Sequence, residues 1–329
     1  MNSNGGRILV TGAGGFIGSQ LVERLVRDGA QVRAFVHYNS RSDWGNLELV
    51  DREVRNEIEV VNGDIADPFS VRNSTRGVRV VYHLSSLIAI PYSYVAPQSY
   101  VTTNVQGAIN VLQAARDEGV ERVVHTSTSE CYGTAQYVPI DEKHPLQGQS
   151  PYSASKIGAD MIAESYWRSF ELPVAIIRPF NTFGPRQSAR AVIPTIIAQA
   201  LKGGIIKLGS LTPTRDMNFV DNTVDGFLAV ANHPAAVGEV INFGSGREIS
   251  IGDLARLIVD MVGSKSEVVE DAQRLRPSKS EVERLLCDNE KARRLLGWVP
   301  KVELEEGLRR TIEWLEKHQD RFKADIYNV

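Results

Sequence analysis

The sequence predicts an α/β protein: a Rossmann-type doubly wound parallel sheet with a smaller C-terminal substrate-binding region. Three observations support this. Short β-branched runs alternate with helical patterns, a glycine-rich turn follows the first run, and shorter elements replace the alternation after Asn181. Val- and Ile-rich strands of this kind are typical of parallel sheets that are covered on both faces. We therefore expect right-handed crossover helices between successive strands.

Strand patterns and helix patterns follow one another along the chain. The predicted strands are 7–10, 32–36, 57–61, Val78–His83, Arg122–Thr126 and 173–178. Helical periodicity is found over 103–118, Pro151–Phe170 and 303–317. Ser150 is the expected N-cap of the second of these helices, because proline is favoured in the first turn that follows a serine cap.

The change of pattern predicts how the chain is divided. We expect residues 1–180, together with 208–243, to form the dinucleotide-binding domain. Residues 181–207 and 244–329 are expected to form the smaller substrate-binding region, because their Gly-, Pro-, Thr- and Arg-rich loops separate shorter elements.

The bulk properties exclude several classes of protein. A formal net charge of -3 argues against a dedicated nucleic-acid binder, which is usually strongly basic. No apolar run approaches the ~20 residues that a membrane helix needs, and the start of the chain lacks a signal-peptide core. The cysteines, Cys131 and Cys287, have no metal-type spacing. We therefore expect reduced thiols, no metal site and a cytoplasmic location.

A glycine-rich turn joins the first strand to the first helix. Residues 11–18 read TGAGGFIG, in which Gly12, Gly15 and Gly18 permit a tight turn and close approach of the backbone. Phe16 and Ile17 open the helix, whose N-terminus offers unpaired N–H groups to a pyrophosphate. This position between strand and helix predicts a nicotinamide dinucleotide site.

The choice between NADP and NAD depends on the end of the second strand, where an acidic residue normally binds the adenosine ribose. Residues 35–41 contain no carboxylate, which slightly favours NADP, with Arg41, Ser40 or Asn39 holding a 2′-phosphate. The alternative is NAD held through backbone contacts. Further cofactor contacts are expected where the third and fourth strands end, from Asp64, Ile65 and Leu84.

Tyr152 and Lys156 lie four residues apart on one helix, hence on one face. A tyrosine with its ordinary pKa of ~10 is a poor base at neutral pH. A neighbouring ammonium and the charge of an oxidised nicotinamide stabilise the phenolate. Tyr152 is therefore expected to take the proton of a sugar hydroxyl while hydride leaves the same carbon, and to bind the cofactor together with Lys156.

Thr128 and Glu130 follow the strand Arg122–Thr126 at the carboxyl edge of the sheet, where ligands of such sheets bind. Thr128 is placed to hydrogen-bond the hydroxyl that is oxidised. A carboxylate beside the oxidised carbon removes a proton that the ketone has made acidic. Glu130 therefore predicts elimination of water, with hydride first borrowed and then returned.

Together these motifs resemble the extended short-chain dehydrogenase/reductases. The resemblance rests on residues 11–18, Asp64, Asn104, 127–133, Tyr152, Lys156, 178–181 and 291–300. Within that family, Thr128-Ser129-Glu130 is similar to GDP-mannose 4,6-dehydratase, whereas epimerases usually have Ser or Ala and dTDP-glucose 4,6-dehydratases have Thr-Asp-Glu. Residues 137–152 and 186–194 resemble the N-acetylglucosamine-nucleotide 4,6-dehydratases of legionaminic-acid biosynthesis.

This resemblance implies a GDP- or UDP-linked N-acetylglucosamine substrate, a 4-keto-6-deoxy product and a tightly bound cofactor that is recycled. Because Ser129 stands where relatives have an aspartic acid, Glu130 is expected to serve as both base and acid. A homodimer is implied through helices 103–118 and Pro151–Phe170. The implied substrate contacts are Ser93, Tyr94, Asn181, Arg190, Arg215, Arg276 and Glu281.

Two alternatives stay open at this point. A nucleotide-sugar 4-epimerase would oxidise carbon 4, rotate the ketone and return hydride to the other face, with no need for Glu130. A non-catalytic NAD(P)-binding protein would be expected to have lost Tyr152 or Lys156, and both residues are present.

Overall fold

A computed structural model describes residues 6–322, and its main feature is a seven-stranded parallel sheet. The strands, in chain order, are β1 (Arg7–Thr11), β2 (Val32–His37), β3 (Ile58–Gly63), β4 (Val78–His83), β5 (Arg122–Thr126), β6 (Val174–Pro179), β7 (Asn181–Phe183), β8 (Ile205–Leu208), β9 (Thr214–Phe219), β10 (Val240–Phe243), β11 (Glu248–Ser250) and β12 (Glu267–Glu270). The large sheet has the order β10-β6-β5-β4-β1-β2-β3. The predicted doubly wound sheet is confirmed.

Helices flank this sheet. They are α1 (Phe16–Arg27), α2 (Arg52–Asn56), α3 (Pro68–Thr75), α4 (Ile90–Val95), α5 (Pro97–Tyr100), α6 (Gly107–Asp117), α7 (Pro151–Phe170), α8 (Val192–Lys202), α9 (Val220–Asn232), α10 (Ile251–Val262), α11 (Glu290–Leu296) and α12 (Leu304–Glu316). In the part of the chain that the structure describes, no helix is both long and apolar enough to cross a bilayer.

The strands are covered on both faces, which explains their β-branched sequences. On β5, Val124 packs into the hydrophobic cluster that includes α1 and α9, whereas its neighbour Val123 packs into the cluster on the α6 and α7 side. Ile177 and Ile176 on β6 divide between the same two faces. This alternation buries each strand completely, as expected for a parallel sheet.

Two helix predictions have different outcomes. Helix α7 begins and ends as predicted, because the Ser150 hydroxyl accepts the Ser153 N–H at 3.1 Å in a reciprocal capping box. The helix predicted over 103–118 instead begins with a π-helical turn, Val101–Gln106, and continues as α6. The buried Asn104 fixes that turn by hydrogen bonds to Leu87 and to Ser155.

After β7, smaller sheets appear, one of order β11-β9-β7 and one that pairs β12 with β8. Within 208–243, helix α9 packs on β5 and β6, and β10 extends the large sheet beside β6. Strand β9, however, pairs with β7 and β11 in the small sheet. The structure thus locates these elements, while the division of the chain into two functional units stays a prediction.

Candidate active site

A wide cleft lies at the carboxyl ends of the strands and encloses about 1880 Å³. That volume exceeds the roughly 300–1,000 Å³ of a pocket for one drug-sized ligand, so two large ligands can share it. One wall comes from the loops after β1, β2, β3 and β4. The other wall comes from the segment after β6 and from residues around Arg215 and Arg276.

The turn after β1 has the shape of a diphosphate cradle. Gly12 has φ +69°, and a Cβ atom there would lie 2.8 Å from the Leu84 carbonyl carbon. A Cβ atom on Gly18 would lie only 2.2 Å from the Gly12 carbonyl oxygen. Gly15 caps α1 without any side-chain hydrogen bond, so the first N–H groups of the helix face the cleft beside Phe16 and Ile17. These residues fit the pyrophosphate of a dinucleotide.

Substitution of Gly18 tests this cradle. We expect Gly18→Ala to weaken dinucleotide binding by more than about tenfold, or ~1.4 kcal/mol, because the added methyl group displaces the turn. The matched control is Gly158→Ala on α7, where a Cβ atom would lie 3.4 Å from Val105 in ordinary contact. Calorimetric titration with NAD measures both variants. Unchanged binding by Gly18→Ala would contradict the assignment.

The adenosine end of the cleft contains the other predicted cofactor residues, Arg41, Asp64, Ile65 and Leu84, and all four line it. Asp64 accepts the Ala66 N–H at 2.9 Å, which shapes the turn after β3. A carboxylate that the sequence analysis missed, Asp43, also lines this end. It lies two residues beyond the segment in which an acid was sought.

Tyr152 and Lys156 both face the cleft from α7 and are 7% and 4% exposed. Lys156 Nζ donates to the Thr126 carbonyl oxygen at 2.5 Å, and the Tyr152 hydroxyl shares a hydrogen bond with the Thr128 side chain. Burial raises the pKa of Tyr152, the bond to Thr128 lowers it, and the nearby Glu130 raises it. Burial lowers the pKa of Lys156. Burial thus opposes the phenolate, and the role of Tyr152 as a base, helped by Lys156 and by the charge of an oxidised nicotinamide, stays a prediction.

Thr128 and Glu130 lie on the short 3-10 turn Ser129–Tyr132 directly after β5, and both line the cleft. Thr128 Oγ1 accepts the Glu130 N–H at 3.3 Å and so fixes the turn. The Glu130 carboxylate is close enough to act electrostatically on Tyr152 on one side and on Arg215 on the other. Glu130 therefore lies between the tyrosine and the cationic wall of the cleft.

The predicted substrate residues are only partly brought together. Arg215, 6% exposed, and Arg276 both donate to Glu281 Oε1, at 3.2 and 3.4 Å, so these three form one cluster in the cleft. Burial lowers the pKa of Arg215, an effect that Glu130 opposes. Asn181 and the exposed Arg190 line the same cleft.

Ser93 and Tyr94 lie outside this lining. Ser93 is fully buried and donates to the Ile90 carbonyl oxygen at 2.7 Å within α4. The Tyr94 hydroxyl is 2.6 Å from Oγ of Ser280, the residue before Glu281 in the chain. Both side chains thus hold the frame of the cleft, and their contact with a substrate stays a prediction.

Beneath the catalytic pair lies a buried polar network that sequence reasoning missed. Asp160, 0% exposed, accepts from Arg178 at 2.8 Å and from Ser127 at 2.5 Å, and its other oxygen lies 3.3 Å from His125. Burial alone would raise the pKa of Asp160, but His125, Arg178 and Ser127 together lower it to about 2. Asp160 is one helical turn from Lys156, so a pattern search for carboxylates at that spacing would have found it.

The thiols and metal-type residues add no further chemistry to the site. Burial raises the pKa of Cys131 to about 12, so this thiol is protonated at neutral pH even though it lies close to Glu130. Cys287 is also buried. Within residues 6–322, no group of three His, Cys, Asp or Glu side chains is arranged to hold a metal ion.

The fold and the cleft are typical of a nicotinamide-dinucleotide enzyme, with Tyr152 and Lys156 as the predicted catalytic pair. Residues 9–311 match the family model described as GDP-mannose 4,6 dehydratase. The chain therefore belongs to that family, within the extended short-chain dehydrogenase/reductases.

Relatives with known activities cover nearly the whole chain. The UDP-glucose 4-epimerase of Mycolicibacterium smegmatis is 36% identical over 94% of this chain and 98% of that protein. The dTDP-glucose 4,6-dehydratase of Streptomyces griseus is 34% identical over 95% and 94%. A structure of the dTDP-glucose 4,6-dehydratase from Streptomyces venezuelae, with NAD and TYD bound, has a TM-score of 0.86 at 32% identity, over 96% of this chain and 99% of that chain. The chain is an enzyme of this dehydratase and epimerase family, which sets aside the non-catalytic alternative.

Proposed function

We propose that the protein is a sugar-nucleotide 4,6-dehydratase that acts on GDP- or UDP-N-acetylglucosamine. The observation that carries this proposal is the place of Glu130, a carboxylate that lines the cleft two residues after Thr128, within electrostatic reach of Tyr152. Oxidation of a hydroxyl needs only the tyrosine and its helpers. A second, carboxylic group beside it is what elimination of water needs.

The first step removes the proton of the 4-hydroxyl. Thr128 orients that hydroxyl, and Tyr152 takes its proton as the bond to hydrogen at carbon 4 breaks. The ammonium of Lys156, held by the Thr126 carbonyl oxygen, favours the phenolate that burial alone disfavours. When bound, an oxidised nicotinamide would supply a further positive charge and a reversible acceptor for hydride.

The second step belongs to Glu130. The 4-ketone makes the hydrogen at carbon 5 acidic, and the Glu130 carboxylate removes it. The carbon 6 hydroxyl then leaves as water, protonated by the same carboxyl group. Ser129 cannot share this task, because it carries no carboxyl group and is only 3% exposed. Return of hydride to carbon 6, with a proton from solvent to carbon 5 and release to solvent of the proton that Tyr152 took, would give the 4-keto-6-deoxy product.

The nucleotide end of the substrate fits the cationic wall. Arginine forks suit phosphate oxygens, and Arg215 and Arg276 present theirs together in the cleft. Glu281, which accepts from both, is placed to meet a ribose hydroxyl once the diphosphate takes over the arginines. Asn181 and Arg190, from the segment after β6 on the same wall, complete the proposed substrate contacts.

The epimerase is the second candidate, supported by the identity to the epimerase of Mycolicibacterium smegmatis. The two functions differ in product mass. Incubation with a panel of GDP-, UDP- and dTDP-sugars, followed by mass spectrometry, should give a product that has lost one water from an N-acetylglucosamine nucleotide. Products of unchanged mass from every sugar would favour the epimerase.

We also propose a homodimer through α6 and α7 in the cytoplasm. Val101 on the π-helical turn is 56% exposed, and Met161 on α7 is 44% exposed. The turn and α7 pack against each other, so apolar side chains remain exposed on both of these packed elements. Sedimentation at micromolar concentration is expected to give a dimer mass, and Met161→Glu is expected to shift it to the monomer. A wild-type protein that sediments only as a monomer would contradict this arrangement.

A further inference from the structure

The loop that follows β2 carries a carboxylate at the adenosine end of the cleft. We propose that Asp43 takes the place of the acid missing from the end of β2, and that it makes NAD the preferred cofactor over NADP. The inference rests on the dinucleotide site of the proposed function and is independent of whether water is eliminated.

The loop is wound around the side chain of Asn39. Asn39 Oδ1 accepts the N–H groups of Arg41 and Asp43, both at 3.1 Å. Asn39 Nδ2 donates to the Asp43 carbonyl oxygen at 2.7 Å. Because these bonds occupy the amide, Asn39 holds the loop in shape and is not available to bind a 2′-phosphate.

The same bonds fix Asp43 beside the phosphate cradle. Asp43 Oδ1 accepts the Gly45 N–H at 2.6 Å, and the next residue along, Asn46, donates its N–H to the Gly14 carbonyl oxygen at 2.9 Å. Gly45 has φ +67°, and a Cβ atom there would lie 2.5 Å from that same carbonyl oxygen. The loop thus rests directly on the diphosphate turn, two residues beyond the carboxylate.

The second carboxylate oxygen is available to a ligand. Asp43 lines the cleft, and Oδ2 has no hydrogen-bond partner among residues 6–322. An ionised carboxylate accepts hydrogen bonds and donates none, which matches the paired hydroxyl donors of an unmodified adenosine ribose. A 2′-phosphate brings a charge of roughly −1.5 to −2 at pH 7 and is repelled by it.

Arg41 is the competing cation. It lines the same end of the cleft, and its side chain is exposed and makes no hydrogen bond or ion pair within the described chain. Ordering such a long side chain costs conformational entropy, whereas the Asp43 carboxylate is already held by the Gly45 N–H. The fixed anion therefore outweighs the mobile cation in the choice of cofactor.

The test compares dissociation constants for NAD and NADP with the full chain freed of cofactor, in wild type, Asp43→Asn and the matched variant Arg41→Ala. The Asn side chain keeps an oxygen for the Gly45 N–H, so the loop is preserved, and unchanged thermal unfolding checks this. We expect wild type to bind NAD at least about tenfold tighter than NADP, because a hydrogen bond to a charged group is stronger than one between neutral groups.

Asp43→Asn is expected to weaken NAD binding and tighten NADP binding, so the ratio of the NADP to the NAD dissociation constant should fall about tenfold. Arg41→Ala is expected to leave this ratio within about twofold of the wild-type value. The proposal is overturned if wild type binds NADP more tightly than NAD. It is also overturned if Arg41→Ala changes the ratio of the two dissociation constants and Asp43→Asn does not. An NAD-selective protein that releases no water from any sugar nucleotide would support this inference and contradict the dehydratase.

Discussion

Glu130→Gln is expected to abolish loss of water while leaving oxidation at carbon 4 possible. The amide keeps the size of the side chain and its place on the turn after β5, but it cannot take the proton from carbon 5. We expect the rate of dehydration to fall about 100- to 10,000-fold, the usual contribution of a general acid–base group. Product mass measures the dehydration, and absorbance of the reduced nicotinamide measures the oxidation.

Tyr152→Phe is the matched comparison, because it removes the hydroxyl that begins the reaction. This variant is expected to lose the oxidation signal and the water loss together, whereas Glu130→Gln loses only the second. Equal effects of the two substitutions on oxidation would place Glu130 in the first step. Full dehydration by Glu130→Gln would remove Glu130 from the reaction, because another group would then have to take the proton from carbon 5.

Asp160→Asn is expected to lower the free energy of unfolding by about 3–5 kcal/mol, the usual loss when one partner of a buried ion pair is removed. Arg178, 2% exposed, would keep its charge without the carboxylate that now lies 2.8 Å away. Urea denaturation followed by circular dichroism measures the change. The control is Glu164→Gln on the same helix, because Glu164 pairs with the exposed Arg168. We expect this substitution to change the free energy of unfolding by less than about 1 kcal/mol.

The same carboxylate predicts a dependence on pH. Its pKa of about 2 in the folded chain lies below the ~3.9 of an unfolded aspartate, so the unfolded state binds the proton first. The stability that Asp160 contributes is thus fully present above about pH 4 and is lost as the pH falls toward 2. Wild type should lose stability over this range more steeply than Asp160→Asn. Parallel curves for the two proteins would show that Asp160 is not paired.

Local signals in the sequence were sufficient for the sheet and for the catalytic helix. Strands β4 and β5 match their predicted bounds, because β-branched residues fill positions that are buried on both faces. Helix α7 was predictable because Ser150 and Pro151 specify its start within two residues. Tyr152, Lys156, Thr128 and Glu130 could be assigned to one cleft because strand ends and helix starts of such a sheet meet at one edge.

Features that depend on distant contacts could not be read from the sequence. The π-helical turn at Val101 is set by Asn104, which bonds a loop and a helix that are remote in the chain. Asp160 acquires its partners only when β5 and β6 lie side by side. Asp43 was missed because the loop after β2 is longer than the simple rule allows and folds back on Gly14.

The most direct test follows the hydrogen at carbon 4. GDP- and UDP-N-acetylglucosamine that carry deuterium at carbon 4 would be incubated with the protein, and the products analysed by mass spectrometry and nuclear magnetic resonance. The proposed reaction predicts a product that has lost one water and keeps the deuterium, now at carbon 6. A product of unchanged mass, or water loss with the deuterium released to solvent, would contradict it.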